Sequence, residues 1–370
     1  MKGGWLEMYN AVLVGCGRIS DLHALGYRDF PGARLYGLCD LDISKAETKA
    51  KQWGVPKLYR SYEEVLSDPA VQIVEILTPH HLHCTMTEEA ARAGKHISVQ
   101  KPMALDLKEA DRMIEAARRS GVALRIYENF VYYPPYVKAK ELIEAGEIGE
   151  PLSFNLRVRG GTGKGQWEVP LEAWAWRIDP AQGGGCPMMF DHCYHNYSLA
   201  IYLMGAVQKV AAWMDQSEIV PGSGIFVKTP ATVMWKYRRE KAHGVMEVTL
   251  SPELQIDTRH YADESRLEIT GTRGIIFVNR CTGKLQNRPP LELYRDGVTT
   301  SFEDIPCEWD HSFVLATRDL IRSLDKGVQP KLSGAEGRAV LEFTLAAVKA
   351  AEKEGPVTLE ELPAGEEESP

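Results

Sequence analysis

Short apolar runs alternate with helical stretches along the first 150 residues of the chain. Ala11-Val-Leu-Val14, Leu35-Tyr-Gly-Leu-Cys39, Ile73-Val-Glu-Ile-Leu77, His96-Ile-Ser-Val99 and Ala123-Leu-Arg-Ile126 read as strands. Ile43 to Trp53, His81 to Ala93 and Leu107 to Arg119 read as the helices between them, with Gly94 as a C-terminal stop. Strands that alternate with helices of roughly 10 to 15 residues predict right-handed crossovers and a doubly wound, mostly parallel sheet. After about Pro151 the pattern changes. Ser153–Arg159, Val207–Met214, Ala231–Arg238, Gly244–Leu250, Ser265–Thr270 and Gly274–Val278 alternate as strands joined by turn clusters such as Gly271-Thr-Arg-Gly274. That texture predicts an α+β domain with a large, mostly antiparallel open sheet. One helix interrupts it, from near Met188 to about Met204, and a late helix covers Ala335 to Glu354. The expected division is residues 8–130 and 131–362, followed by an acidic tail, 363–370, expected to be disordered.

Bulk properties narrow the partners. The 370 residues suffice for two domains, 44% are apolar, and the net charge of -8 comes without basic runs, which argues against nucleic acid. No apolar run approaches the roughly 18 to 20 residues of a membrane span, and Met1 to Asn10 lacks the apolar core of a secretory signal. The seven cysteines are scattered and never spaced Cys-x-x-Cys, so free thiols in a reducing, cytoplasmic setting are expected.

Candidate chemistry begins at Gly15-Cys-Gly17-Arg18-Ile19-Ser20, which follows a strand and opens a helix. Gly15 permits a tight turn, and Gly17 lets the backbone approach a pyrophosphate. Ser20 holds the third position in place of the usual glycine or alanine. Asp40 ends the second strand, where a carboxylate accepts the ribose hydroxyls of an adenosine. With Asp42 nearby and no arginine directly following, a 2′-phosphate is disfavoured, so NAD is expected over NADP.

Four linked motifs carry a family resemblance: the glycine loop, Thr78-Pro79-His80-His-Leu-His83, Ala93-Gly-Lys-His-Ile-Ser-Val-Gln100-Lys101-Pro102, and Gly183-Gly-Gly-Cys-Pro-Met-Met-Phe-Asp191-His-Cys-Tyr194-His195. In order and spacing the chain resembles the glucose–fructose oxidoreductase and inositol dehydrogenase (Gfo/Idh/MocA) family from roughly Asn10 to Glu354. The resemblance implies an N-terminal Rossmann domain, a C-terminal α+β domain with an open sheet, and NAD(P)-linked oxidation of sugars or cyclitols. It also implies cofactor contacts from Gly15, Gly17, Arg18, Ile19, Asp40, Thr78, Pro79, His80, His83, Gln100 and Lys101, and a homodimer or homotetramer. Two departures stand out. Gln100 replaces the family's glutamate before Lys-Pro, which removes a negative charge beside Lys101, and His80 replaces an asparagine.

Oxidising a secondary alcohol removes a hydride from carbon and a proton from oxygen, and the proton does not leave unaided at neutral pH. His195 is the candidate general base, Asp191 its partner on one helix face, and Lys101 the charge that polarises the reacting oxygen. A lone Asp-x-x-x-His is more often a surface ion pair, and only the full motif set raises it to a site. Asn129, Trp176, Arg177, Asp191, Tyr194 and His195 are the candidate substrate contacts, Trp176 and Arg177 chosen from a group that includes Trp167 and Trp174. No metal is expected, although His80, His81, His83, Asp191, His192 and His195 include metal-ligating types. An enzyme with tightly bound NAD that epimerises or eliminates, or a non-catalytic sugar sensor, are the other readings.

Overall fold

The alternation in the first part of the chain forms a six-stranded parallel sheet. The computed structural model describes residues 8–163, 167, 175–219, 222 and 224–359. The sheet contains β1 (Tyr9–Val14), β2 (Ala33–Cys39), β3 (Lys57–Tyr59), β4 (Ile73–Ile76), β5 (His96–Gln100) and β6 (Leu124–Tyr127), in the order β3-β2-β1-β4-β5-β6. The order reverses between β1 and β4, and open α/β sheets bind ligands beyond the carboxyl ends of their strands at such a point. The intervening helices are α1 (Ser20–Leu25), α2 (Ile43–Trp53), α3 (Tyr62–Ser67), α4 (His83–Arg92) and α5 (Leu107–Ser120). All four residues of β4 are buried, as expected for a strand covered on both faces, and Glu75 is among them.

Several elements went unread in the sequence. β3 and α3 are too short to show a period. The helix Asp310–Lys326 did leave a signal: Phe313, Ala316, Thr317, Leu320 and Ile321 are buried at three-and-four spacing. Leu320 and Ile321 join Leu13, Leu38 and Ile73 in one core, which places this late helix on the first sheet. By contacts the chain forms two compact units that interleave in sequence. The first comprises Met1–Tyr132, Val169–Gly185 and Asp310–Leu341, and the second comprises Tyr133–Glu168, Cys186–Trp309 and Glu342–Pro370.

The second unit is built on a nine-stranded sheet. Its chain runs through β7 (Pro151–Thr162), β8 (Val207–Met214), β9 (Ser217–Glu218), β10 (Phe226–Val227), β11 (Ala231–Tyr237), β12 (His243–Gln255) and β13 (Asp257–Thr258). It continues through β14 (Asp263–Gly271), β15 (Gly274–Val278), β16 (Gly283–Lys284), β17 (Leu291–Arg295), β18 (Val298–Phe302) and β19 (Val357–Thr358). The large sheet is ordered β18-β17-β15-β14-β7-β12-β11-β8-β19 and is antiparallel except where β7 meets β12. The β17–β18 hairpin, also unread, turns on Asp296-Gly297, both at positive φ, the residue pair such a tight turn favours. Among the described residues no helix is long and apolar enough to cross a membrane. The predicted tail, 363–370, lies outside the described residues.

Candidate functional site

In the first unit the candidate residues gather at the carboxyl ends of β1, β2, β4 and β5. Gly15 has φ +103°, and a Cβ there would stand 2.7 Å from the Leu77 carbonyl oxygen, so only glycine fits between β1 and β4. Gly17 is the opposite case. It is exposed, and a Cβ there would meet no atom within 4 Å, so the space beside it is open. Arg18, also exposed, pairs with Asp21 at 3.5 Å, and Ile19 is half-buried. Ser20 is fully buried and its hydroxyl donates to the Gly17 carbonyl at 2.6 Å, closing the loop on itself. The helix that follows is only six residues long, so it adds little helix dipole to the loop.

Asp40 is held by backbone. Its Oδ2 accepts from the Cys16 amide at 2.7 Å and its Oδ1 from the Asp42 amide at 2.8 Å. The carboxylate is thereby oriented while it remains half-buried at the edge of the loop. Burial, then the Asp40 charge, push the Cys16 thiol up to about 12, and the same two causes push Cys39 up to about 11. Both thiols stay protonated and unreactive. None of the seven cysteines forms a disulfide.

The third corner is Gln100-Lys101-Pro102, where the Lys101–Pro102 bond is cis. Lys101 is half-buried and its backbone amide donates to Gln100 Oε1 at 2.8 Å. His83 is wholly buried, with Nδ1 2.9 Å from the Pro102 carbonyl and Nε2 3.0 Å from the Thr78 carbonyl. Its ring ties the end of β4 to the Lys101 turn, so both nitrogens face protein. Thr78 is half-buried, as is Pro79, and the Thr78 hydroxyl lies 3.5 Å from Met86 Sδ.

Residues 175–185 return to this unit. His80 is buried, with Nδ1 3.4 Å from the Gly183 carbonyl and its ring 4.7 Å edge-on from Trp176. The Arg177 guanidinium lies over Trp176 at 4.3 Å. A Cβ on Gly183 would stand 2.5 Å from the Arg177 backbone, so the first glycine of the run makes this close approach possible. Asn129 is buried and its Nδ2 donates to Ser312 Oγ at 2.8 Å. Trp174 lies outside the described residues.

The second unit carries Asp191, Tyr194 and His195. The single helix expected from Met188 to Met204 is two segments: a π-helix, Pro187–His192, and an α-helix, Tyr194–Met204. The Cys193 amide reaches back five residues to the Met188 carbonyl at 2.8 Å. Asp191 and His195 therefore straddle a junction instead of sharing one regular helix face. Such π segments are frequent at functional sites. Asp191 and Tyr194 are buried and His195 is half-buried, while His192 Nε2 lies 3.2 Å from Asp263. Among the described residues no group of three or more His, Cys, Asp or Glu side chains is placed to hold a metal ion.

Two residues in the first unit escaped the sequence reading: His23 and Glu75, both wholly buried and 2.6 Å apart. The available signal was a glutamate in the middle of an otherwise apolar strand.

A doubly wound sheet with an open glycine loop and an oriented strand-end carboxylate defines a dinucleotide-binding fold, and comparison narrows it. The family model for an oxidoreductase family with an NAD-binding Rossmann fold matches residues 9–128, and that of the same family's C-terminal domain matches 136–277. The chain belongs to the Gfo/Idh/MocA family, and it is an NAD-binding oxidoreductase. It is 28% identical over 367 residues to a myo-inositol 2-dehydrogenase of Thermotoga maritima, covering 95% of this chain and 98% of that one. It is also 28% identical over 356 residues to the scyllo-inositol 2-dehydrogenase (NAD(+)) of Bacillus subtilis, covering 94% and 95%. A solved oxidoreductase from Agrobacterium radiobacter, in complex with NAD+, L-tartaric acid and magnesium, matches with a TM-score of 0.82. At 21% identity, over 95% of this chain and 98% of that one, this likeness is one of fold.

Proposed function

We propose that the protein is a dehydrogenase that uses NAD to oxidise a secondary hydroxyl of a sugar, sugar acid or cyclitol, or to reduce the matching ketone. The observation that carries the cofactor choice is Asp40, whose carboxylate is oriented by two backbone amides beside the open position at Gly17. A carboxylate so held accepts ribose hydroxyls and repels a 2′-phosphate, which favours NAD over NADP. Bound NAD supplies a hydride acceptor. Around it Gly15, Gly17, Arg18, Ile19, Asp40, Thr78, Pro79, His80 and Gln100 form the binding surface, while His83 braces the Lys101 turn from behind. Lys101 places positive charge at the alcohol oxygen, His195 takes its proton, and Asp191 holds the imidazole or a neighbouring hydroxyl. Asn129, Trp176, Arg177 and Tyr194 complete the substrate contacts. The substrate class follows the inositol dehydrogenases among the relatives.

The reading includes self-association through the open face of the large sheet. Trp213, Met234 and Tyr294 stand exposed there, 61%, 40% and 42% accessible, and pairing across the strands puts all three on one side. Light scattering on the eluted protein should give a multiple of the 41.3 kDa chain. A monomer would leave that face without a partner copy. For the activity, absorbance at 340 nm is followed with NAD, then NADP, across sugars, sugar acids, inositols and glycosides. NADH formation with a polyol supports the reading. Tightly bound NAD without net NADH replaces it with internal redox catalysis, and no NAD affinity overturns it.

A further inference from the structure

A line of polar side chains runs from the interior of the six-stranded sheet to the Lys101 turn, and its hydrogen bonds admit one proton assignment. The Lys101 backbone amide can only donate, so the Gln100 atom facing it at 2.8 Å is oxygen. The other end of that side chain is therefore the amide nitrogen, 2.9 Å from His23 Nε2. An amide nitrogen offers no lone pair, so His23 Nε2 must accept. The ring proton then sits on Nδ1 and is donated to Glu75 Oε2 at 2.6 Å. Glu75 Oε1 also accepts from the Tyr27 hydroxyl at 2.7 Å, with Arg125 Nη2 3.9 Å away.

The surroundings hold this line in place. Tyr127 covers the His23 ring at 3.8 Å, and Phe313 meets it edge-on at 5.7 Å. Arg125 Nη2 donates to Ser98 Oγ at 2.9 Å and its Nη1 bonds the Ala316 carbonyl. The Tyr127 hydroxyl donates to the Phe313 carbonyl at 2.8 Å and lies 3.0 Å from Thr317 Oγ1. The charged and titratable groups facing His23 are thus Glu75 from β4, Arg125 and Tyr127 from β6, and Tyr27 from beyond α1.

A buried carboxylate carries a large desolvation cost, and apolar side chains of similar volume often serve stability as well. A glutamate inside a strand buried on both faces therefore calls for a reason besides stability. The line ends on the residue before Lys101. We propose that Glu75 and His23 are positioning residues for Lys101: Glu75 selects the His23 tautomer, His23 orients the Gln100 amide, and Gln100 holds the Lys101 backbone. The proposal rests on the catalytic reading of Lys101. It also explains why glutamine stands at position 100. A glutamate there would turn an oxygen toward the lone pair of His23 Nε2, a repulsion relieved only by a second proton on the ring. Gln100 is the residue that matches a neutral His23. Burial is the largest influence on the imidazole and keeps it titrating below its ordinary range, with Arg125 adding to that and Glu75 opposing it.

The test uses the full-length protein labelled with 15N. His23 should show a protonated Nδ1 and a lone-pair Nε2 at neutral pH. His23→Leu should speed exchange of the Lys101 amide about tenfold and lower kcat by a similar factor, with NAD affinity within about twofold. His23→Gln, whose amide can donate to Glu75 and accept from Gln100, should restore both. Should His23→Leu not fold, Gln100→Glu gives the second arm: its His23 should appear doubly protonated at neutral pH. An Nε2–H tautomer in the parent protein, or Lys101 exchange and kcat unmoved in a folded His23→Leu, overturns the proposal. Should no polyol be oxidised by any form, the catalytic reading of Lys101 fails, while the nitrogen shifts and amide exchange still decide the hydrogen-bond line.

Discussion

Asp40 and Lys101 stand at equivalent places in the first unit, each just beyond the carboxyl end of a parallel strand, yet they are held by different means. Asp40 is oriented by the amides of Cys16 and Asp42, groups that nearly any residue would supply. Lys101 is oriented through Gln100, His23 and Glu75, where each side chain must offer a donor or an acceptor at a set position. A corner built by backbone can be read from spacing alone. A corner built by side chains shows in the sequence only as residues out of place, such as a glutamate among Ile73, Val74 and Ile76.

The largest expected effect falls on the Lys101 corner. Lys101→Ala should lower turnover by roughly 10² to 10⁴ while NAD affinity changes little, because the role proposed for the lysine is on charge that develops at the reacting oxygen. Steady-state rates beside fluorescence titration with NAD separate the two. Unchanged turnover would remove Lys101 from the mechanism.

Asp40→Ala should reverse the pattern, weakening NAD by about 10- to 100-fold, the worth of about 1.5 to 3 kcal/mol in hydrogen bonds to a charged group. Turnover at saturating NAD should hold, and discrimination against NADP should narrow. Equal losses in affinity and turnover would erase the distinction between the corners.

A smaller pair of effects divides the glycine loop itself. Gly15→Ala places a methyl group against the Leu77 carbonyl at a φ that side chains rarely adopt, and should cost about 1 to 3 kcal/mol of stability. Gly17→Ala meets no protein atom and should change stability by no more than about 0.5 kcal/mol, yet still weaken NAD. Urea midpoints and NAD titrations on both variants decide it. Equal destabilisation by the two would mean that the space at Gly17 is not a cradle.

The same contrast explains what could be read in advance. The helix Ile43–Trp53 is legible at both ends because Asp42 caps it and Gly54 ends it, both local signals. The strands β8 and β15 were equally legible from alternation. The π-helix at Pro187–His192 was not, because a shift from four-residue to five-residue hydrogen bonding leaves no mark on apolar spacing. His23 was passed over because its partners lie 52 and 77 residues away, beyond any local pattern.

The last effect is on the stability that the buried pair contributes, and it diminishes in acid. His23 is held below its ordinary value of 6.5, first by burial, so the folded state binds its proton more weakly than the unfolded chain does. Its contribution to stability is therefore complete above about pH 6.5 and falls as pH drops toward the folded value. Burial opposes ionisation of Glu75, but His23, Arg125 and Tyr27 together hold it below its ordinary 4.5, so its share is lost at lower pH still. Both terms have the same sign. The stability difference between the parent protein and His23→Gln isolates the first, since glutamine does not titrate. That difference should be constant above about pH 7 and narrow progressively below about pH 6.5 in urea unfolding. A difference that stays flat down to about pH 5 would mean that His23 takes up a proton as readily folded as unfolded, and the line of hydrogen bonds to Lys101 would lose the neutral ring on which it depends.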